Sequence, residues 1–112
     1  MNGKYRLRKN CQFQYVRRKG KSVASREMVL LYVRGSRLLV GFSVSKKVGN
    51  AVVRNRTKRR MREAFRALIP RLRPGQYVLV AREAAATADF RALERTMRYL
   101  LNKQGLLRGC EP

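Results

Sequence analysis

Residues 46–62 restrict what this chain can become more than any other stretch. They hold eight Lys or Arg side chains and no acid. From Val53 onward, Thr57, Met61, Ala64, Phe65 and Leu68 recur at helical spacing and cover roughly a third of a helical wheel at ~100° per residue. Arg54, Lys58, Arg62 and Arg66 follow an i, i+4 row on the polar side, and Arg56, Arg59 and Arg60 fill the rest. Like charges at that spacing weaken an isolated helix by about 0.2–0.5 kcal/mol per pair. Such a helix needs an apolar core under one arc and a polyanion over the other. Asn50 supplies its N-cap, and Pro70 ends it by pushing Ile69 out of the helical region.

The flanking segments read as short elements. Residues 1–9 form a basic, irregular arm, and Asn10 caps a short helix with Phe13 and Val16 as apolar positions, ended by Gly20. Ser22 to Ala24 make a short strand. The apolar runs Met28–Val33 and Leu38–Val44 flank Gly35-Ser36, which predicts a tight β-hairpin. In the second run Val40, Phe42 and Val44 share one face, while Gly41, Ser43 and Ser45 share the other. That second face is small and hydroxylated, suited to having something laid upon it. Pro74-Gly75 turns the chain into a buried strand at Tyr77–Ala81. Asp89 or Thr87 then caps a last helix whose core stripe is Phe90, Leu93, Met97, Leu100 and Leu101, ending near Gly105. The order α-β-β-β-α-β-α gives an α+β sandwich, helices against one sheet, as a single domain over residues 1–112.

Composition narrows the chemistry. The 112 residues carry 28 Lys and Arg against 6 Asp and Glu, a net charge of +22, with no His. At 45% hydrophobic the chain is too apolar for a disordered basic tail. Residues 1–62 hold 19 of the basic side chains and one acid, whereas residues 63–112 hold nine and five. Without histidine there is no imidazole base, no Ser-His-Asp or Cys-His pair and no imidazole metal ligand. The six carboxylates never fall closer than five residues apart, so no local cluster gathers catalytic cations. If the protein takes part in a reaction, its reactive groups come from a partner. A polyanion relieves the self-repulsion of this surface and releases counterions, which ranks nucleic acid first and an anionic membrane surface second. No run of ~20 apolar residues can span a bilayer, and Met1-Asn2-Gly3-Lys4 leads into no apolar signal region, so the expected location is the cytoplasm. Cys11 and Cys110 lie near opposite ends and read as two reduced thiols.

The densest signal joins the second apolar run to the basic helix. The strand delivers Lys46 and Lys47 to a turn at Gly49, Asn50 caps, and the basic row begins at once, beside helix-start amides that attract phosphate. The string Ser45-Lys46-Lys47-Val48-Gly49-Asn50-Ala51-Val52-x-Arg54-Asn55-Arg56 resembles the RNR signature of the bacterial ribonuclease P protein family. The likeness extends over most of the chain, through Leu7-Arg8-Lys9-Asn10, Phe13, Gly20, Ser22, the two apolar runs, Tyr77 to Arg82 and the closing Leu-rich helix.

The resemblance implies a ribosomal-protein-like fold: a two-layer α/β sandwich, four-stranded, with a left-handed β-α-β crossover against the usual right-handed preference. It implies a non-catalytic subunit of an endoribonuclease whose active site belongs to a large catalytic RNA. That assembly removes the single-stranded 5′ leader of precursor tRNA by magnesium-assisted hydrolysis. Mg2+ is held mainly by the RNA and none by the protein alone; no membrane and no obligate protein partner is implied. By position, Arg54, Asn55, Arg56, Lys58, Arg59 and Arg62 would meet the catalytic RNA, and Phe13, Arg17, Ser43, Ser45, Lys46, Lys47 and Arg82 would lie along the leader. The chain departs from the family pattern at Gln12 and Gln76, where acids are common, and at Arg17, where a second cleft aromatic is common. A guanidinium there can stack on a base or meet a phosphate. A ribosomal protein of similar fold is the nearest rival; a DNA-binding basic helix would need a dimerisation element that the sequence lacks.

Overall fold

The computed structural model describes Leu7 and residues 10–107. The rest of the basic arm and Cys110 lie outside the described residues, as do the side chains of Asn10 and Cys11, on which the expected cap and the other thiol fall. The chain runs through α1 (Asn10–Lys19), β1 (Lys21–Ala24), β2 (Met28–Arg34), β3 (Leu38–Ser43), α2 (Ala51–Leu68), β4 (Gly75–Ala81) and α3 (Phe90–Lys103). Short 3-10 turns at Ile69–Arg71 and Glu83–Ala86 follow α2 and β4. This is the α-β-β-β-α-β-α order read from the sequence.

Caps and breakers act where the sequence places them. The Asn50 side-chain oxygen accepts the Val53 N–H at 3.0 Å, and Asp89, rather than Thr87, accepts the Ala92 N–H at 2.8 Å. Pro70 follows the end of α2 as expected, but Ile69 is not pushed out of the helical region. It keeps φ −50° and ψ −46°, and the helix tightens into the 3-10 turn Ile69–Arg71 instead of breaking before the proline. Thr57, the one polar residue on the buried arc of α2, gives its hydroxyl to the Val53 carbonyl at 2.9 Å.

The hairpin expected from Gly35-Ser36 does not form. The four strands lie in the order β1-β2-β4-β3, so β4 is inserted between β2 and β3. It runs antiparallel to β2 and parallel to β3, and its first residue, Gly75, pairs with both Arg34 and Leu38. The Gly75 N–H donates to the Arg37 carbonyl at 3.1 Å, so the 35–37 link straddles the start of β4 instead of folding β3 back on β2. The reason is burial. Tyr77, Val78 and Leu79 are fully buried, on both sides of the strand, which only a central position satisfies. A hairpin would have left this most apolar strand on the edge.

The helices divide between the faces of the sheet. Met28, Leu30, Val40, Phe42, Tyr77, Leu79 and Ala81 enter the main core with Met61, Phe65 and Leu68 of α2 and Leu93, Met97, Leu100 and Leu101 of α3. Phe65 stands edge-on to Phe42 at 5.9 Å and to Tyr77 at 5.4 Å between centroids. Full burial of each such side chain stabilises by about 1.5–3 kcal/mol. Phe90, expected in this stripe, is 40% exposed, because α3 meets the core only from Leu93 onward. The opposite face carries a smaller cluster of Leu7, Val16 and Val78, with Phe13, Leu31, Val33, Leu39 and Val80 partly buried around it. There α1 lies over β2 and β4 as a partial third layer. The Leu7 N–H donates to the Val40 carbonyl at 2.9 Å, which engages one free group of the edge strand β3.

Candidate nucleic-acid interface

The cations of α2 are held in two groups by the burial of its apolar arc. Asn55, Arg56 and Arg59 point outward and are exposed; Lys58 and Arg62 are half-buried along one flank. Arg54 is also half-buried, and its Nε donates to the Gly49 carbonyl at 3.2 Å. It therefore braces the turn ahead of the helix as well as presenting charge. That turn is tight: a Cβ on Gly49 would lie 2.8 Å from a Val53 methyl. Arg60 leaves the group and donates to the Ala88 carbonyl beside the start of α3 at 3.2 Å. Glu63, the single acid of α2, is paired with Arg66 at 2.8 Å near its end. Nothing negative interrupts the outward arc before that pair.

A second surface lies between α1 and β3. The side chain of Phe13 rests on Gly41, where any Cβ would overlap the ring atoms Cζ and Cε1. The small face of β3 thus receives Phe13 itself, and only the uncovered part of this half-buried ring is open to a ligand. One turn further along α1, the exposed Arg17 donates from its guanidinium to the Ser43 hydroxyl at 3.1 Å. Arg17 and Ser43 so span the gap between helix and strand. Ser45, Lys46 and Lys47 follow in an exposed turn closed by the Val48 N–H on the Ser45 carbonyl at 3.1 Å.

Because β3 and β4 are parallel, both end at the same edge of the sheet, where α2 also begins. Ser43, Ser45, Lys46 and Lys47 therefore share that end with the first turn of α2. Arg82 is the residue that the structure does not join to them. Its guanidinium donates to the Ser25 carbonyl at 3.0 Å, in the turn between β1 and β2, on the side away from β3. Among the described residues no three of His, Cys, Asp or Glu come together to hold a metal ion, and no helix is long and apolar enough to cross a membrane.

The same string of residues and the same fold recur in known proteins. The family model of Ribonuclease P matches residues 1–105. The chain belongs to the ribonuclease P protein family. The ribonuclease P protein component of Listeria innocua is 42% identical over 105 residues, covering 90% of this chain and 88% of that protein. That of Symbiobacterium thermophilum is 44% identical over 111 residues, with 96% of each chain covered. The solved structure of the Staphylococcus aureus RNase P protein superposes with a TM-score of 0.86 at 32% identity, over 93% of this chain and 98% of that one. As a ribonuclease P protein, this chain is a component of an endoribonuclease that acts in tRNA processing.

Two features of this family member escaped the sequence reading. Val52 is 73% exposed and lies on the outward arc with Asn55, Arg56 and Arg59, an apolar surface among cations. Its place beside Arg56 on the helical wheel could have revealed it. The plugging of Gly41 by Phe13 had no local signal, since the two residues are far apart in sequence.

Proposed function

We propose that the chain binds the catalytic RNA of ribonuclease P through α2 and guides the 5′ leader of precursor tRNA along the gap between α1 and β3. One observation carries this reading: Thr57, Met61, Ala64, Phe65 and Leu68 lock one arc of α2 into the core, so the helix cannot roll and its opposite arc holds Asn55, Arg56 and Arg59 toward any docked polyanion. Arginine forks pair two phosphate oxygens at once, and Asn55 offers an amide to a ribose 2′-hydroxyl. Lys58 and Arg62 extend the footprint along one flank, and Arg54 stiffens its approach.

At the adjoining end of the sheet, Lys46 and Lys47 neutralise leader phosphates while Ser43 and Ser45 offer hydroxyls. The open part of Phe13 can stack on a leader base for about 1–3 kcal/mol. Arg17, already extended toward Ser43, turns its guanidinium to a phosphate that enters the gap. Arg82 joins only by giving up the Ser25 carbonyl. The protein's part is grip, orientation and charge neutralisation. The RNA supplies the reacting groups and holds the Mg2+ that assists hydrolysis, for which the described protein residues offer no carboxylate cluster. No membrane or obligate protein partner enters this scheme, and its setting is the cytoplasm.

The test combines the protein with a cognate ribonuclease P RNA and a leader-bearing precursor tRNA at low magnesium. Substrate binding and cleavage improve on adding the protein, more for leader-bearing than for leaderless substrate, and the protein alone cuts nothing. Cleavage at the mature 5′ end by RNA-free protein would overturn the assignment.

A further inference from the structure

The cationic arc of α2 is not the only one on this side of the molecule. On α3, Arg91, Arg95 and Arg98 are all exposed and fall within about 60° of one another on the helical wheel. Asn102 continues the row, and the 54% exposed Tyr99 stands beside Arg95 one turn away. The row from Arg91 to Arg98 is about 10 Å long. Of the nearby acids, Asp89 caps the helix, and the half-buried Glu94, although one turn from both Arg91 and Arg98, forms no ion pair with either. The two ion pairs among the described residues, Arg26 with Glu27 and Arg66 with Glu63, leave α3 out. Arg91 with Arg95 and Arg95 with Arg98 are like-charge neighbours that weaken a helix, and the single interleaved acid, Glu94, leaves the row with a clear net positive charge.

Its place in the fold matters more. Both α2 and α3 start at the sheet end where β3 and β4 finish, and they pack side by side on one face. Arg60 crosses from α2 to the Ala88 carbonyl, directly before α3. At the other end Gln104 donates to the Lys21 carbonyl at 3.1 Å, so α3 runs in the same direction as α2. The outward arcs of the two helices therefore form neighbouring strips of one cationic surface.

Resting on the RNA-binding reading above, we infer that Arg91, Arg95 and Arg98 form a second RNA contact that grips the phosphate backbone of a double-helical segment. A duplex strand advances about 3.4 Å along its axis per nucleotide while its phosphates wind around it, so a row this long reaches two or three of them through the long arginine side chains. The row is convex and has no cleft to strip and hold a flexible single strand. A duplex presents its phosphates in fixed ranks and is recognised by shape and backbone. All three positions are arginine, whose planar fork suits phosphate oxygens.

Salt titration of binding to the ribonuclease P RNA tests this, comparing the unmodified protein with R91Q/R95Q/R98Q, R91K/R95K/R98K and R56A/R59A. Each lost phosphate contact flattens the log K against log salt slope by about 0.7–0.9. The Gln triple lowers the slope by about 2, so binding is roughly 100-fold weaker at 0.1 M salt and converges with the unmodified protein near 1 M. The Lys triple restores the slope, which a merely structural role would not do. Unchanged slope and unchanged far-UV circular dichroism in the Gln triple, with R56A/R59A flattened, would overturn this inference and leave the α2 reading standing. A slope unchanged in both would overturn the α2 reading as well. Loss of binding to phosphatidylserine vesicles in the Gln triple, with its RNA slope intact, would give the face to a membrane surface and likewise overturn it.

Discussion

The two faces of the sheet are covered by very unequal amounts of protein. Under α2 and α3 lies a continuous core that includes Met28, Leu30, Phe65, Tyr77, Leu93 and Met97, all without exposed surface. Under α1, among the described residues, the buried apolar cluster is Leu7, Val16 and Val78, and Phe13 is left half-open. The thick face fixes geometry: it sets the rotation of α2 and hence the direction of its cations. The thin face leaves Phe13 half-open and Arg17 exposed above few buried apolar contacts, the kind of region from which binding elements are drawn. One side of the sheet thus serves as chassis and the other as jaw.

The largest expected effect breaks the comparison outright if it fails. Phe65→Ala removes a ring packed on Phe42 and Tyr77 and costs about 3–5 kcal/mol, whereas Phe13→Ala costs about 1–2 kcal/mol, a smaller loss on the half-open face. Denaturant melts of both variants measure this, and equal losses would mean that the faces are not different in kind. Next in size, Gly41→Ala forces a methyl into the Phe13 ring and costs about 1–3 kcal/mol as α1 lifts from β3. Its sharper signature is selective: leader binding weakens while affinity for the catalytic RNA holds, which paired titrations would show. The smallest effect on stability belongs to the exposed arc. Arg56→Ala and Arg59→Ala stay within about 0.5 kcal/mol in melts, yet each flattens the salt dependence of RNA binding by about 0.7–0.9. Unchanged slopes would remove these residues from the interface.

Much of this architecture was legible because its signals are local. The arc from Val53 to Leu68, the Asn50 cap and the Pro70 stop depend on residues within a few positions of one another. Strand identity was legible for the same reason, but strand neighbourhood was not. Gly35-Ser36 has the chemistry of a hairpin turn, and only the burial of both faces of a strand some forty residues later excludes one. At the candidate site, the RNR string gave the cations of α2 their places. Arg82 shows the limit, since its tie to the Ser25 carbonyl depends on strand order. The arginines of α3 are hidden differently: the apolar stripe dominates the pattern of that helix, and only its packing beside α2 gives the outward side a meaning.

The insertion of β4 has a consequence for how the chain comes into being. While the ribosome has released only the segments through α2, β2 and β3 lack their common neighbour, and the apolar arc of α2 has no completed sheet to rest on. Pairing across β4 is long-range on both sides, which slows closure and exposes sticky surface in the interim. Completion therefore waits for the last third of the polypeptide to emerge, and its final strand works like the keystone of an arch.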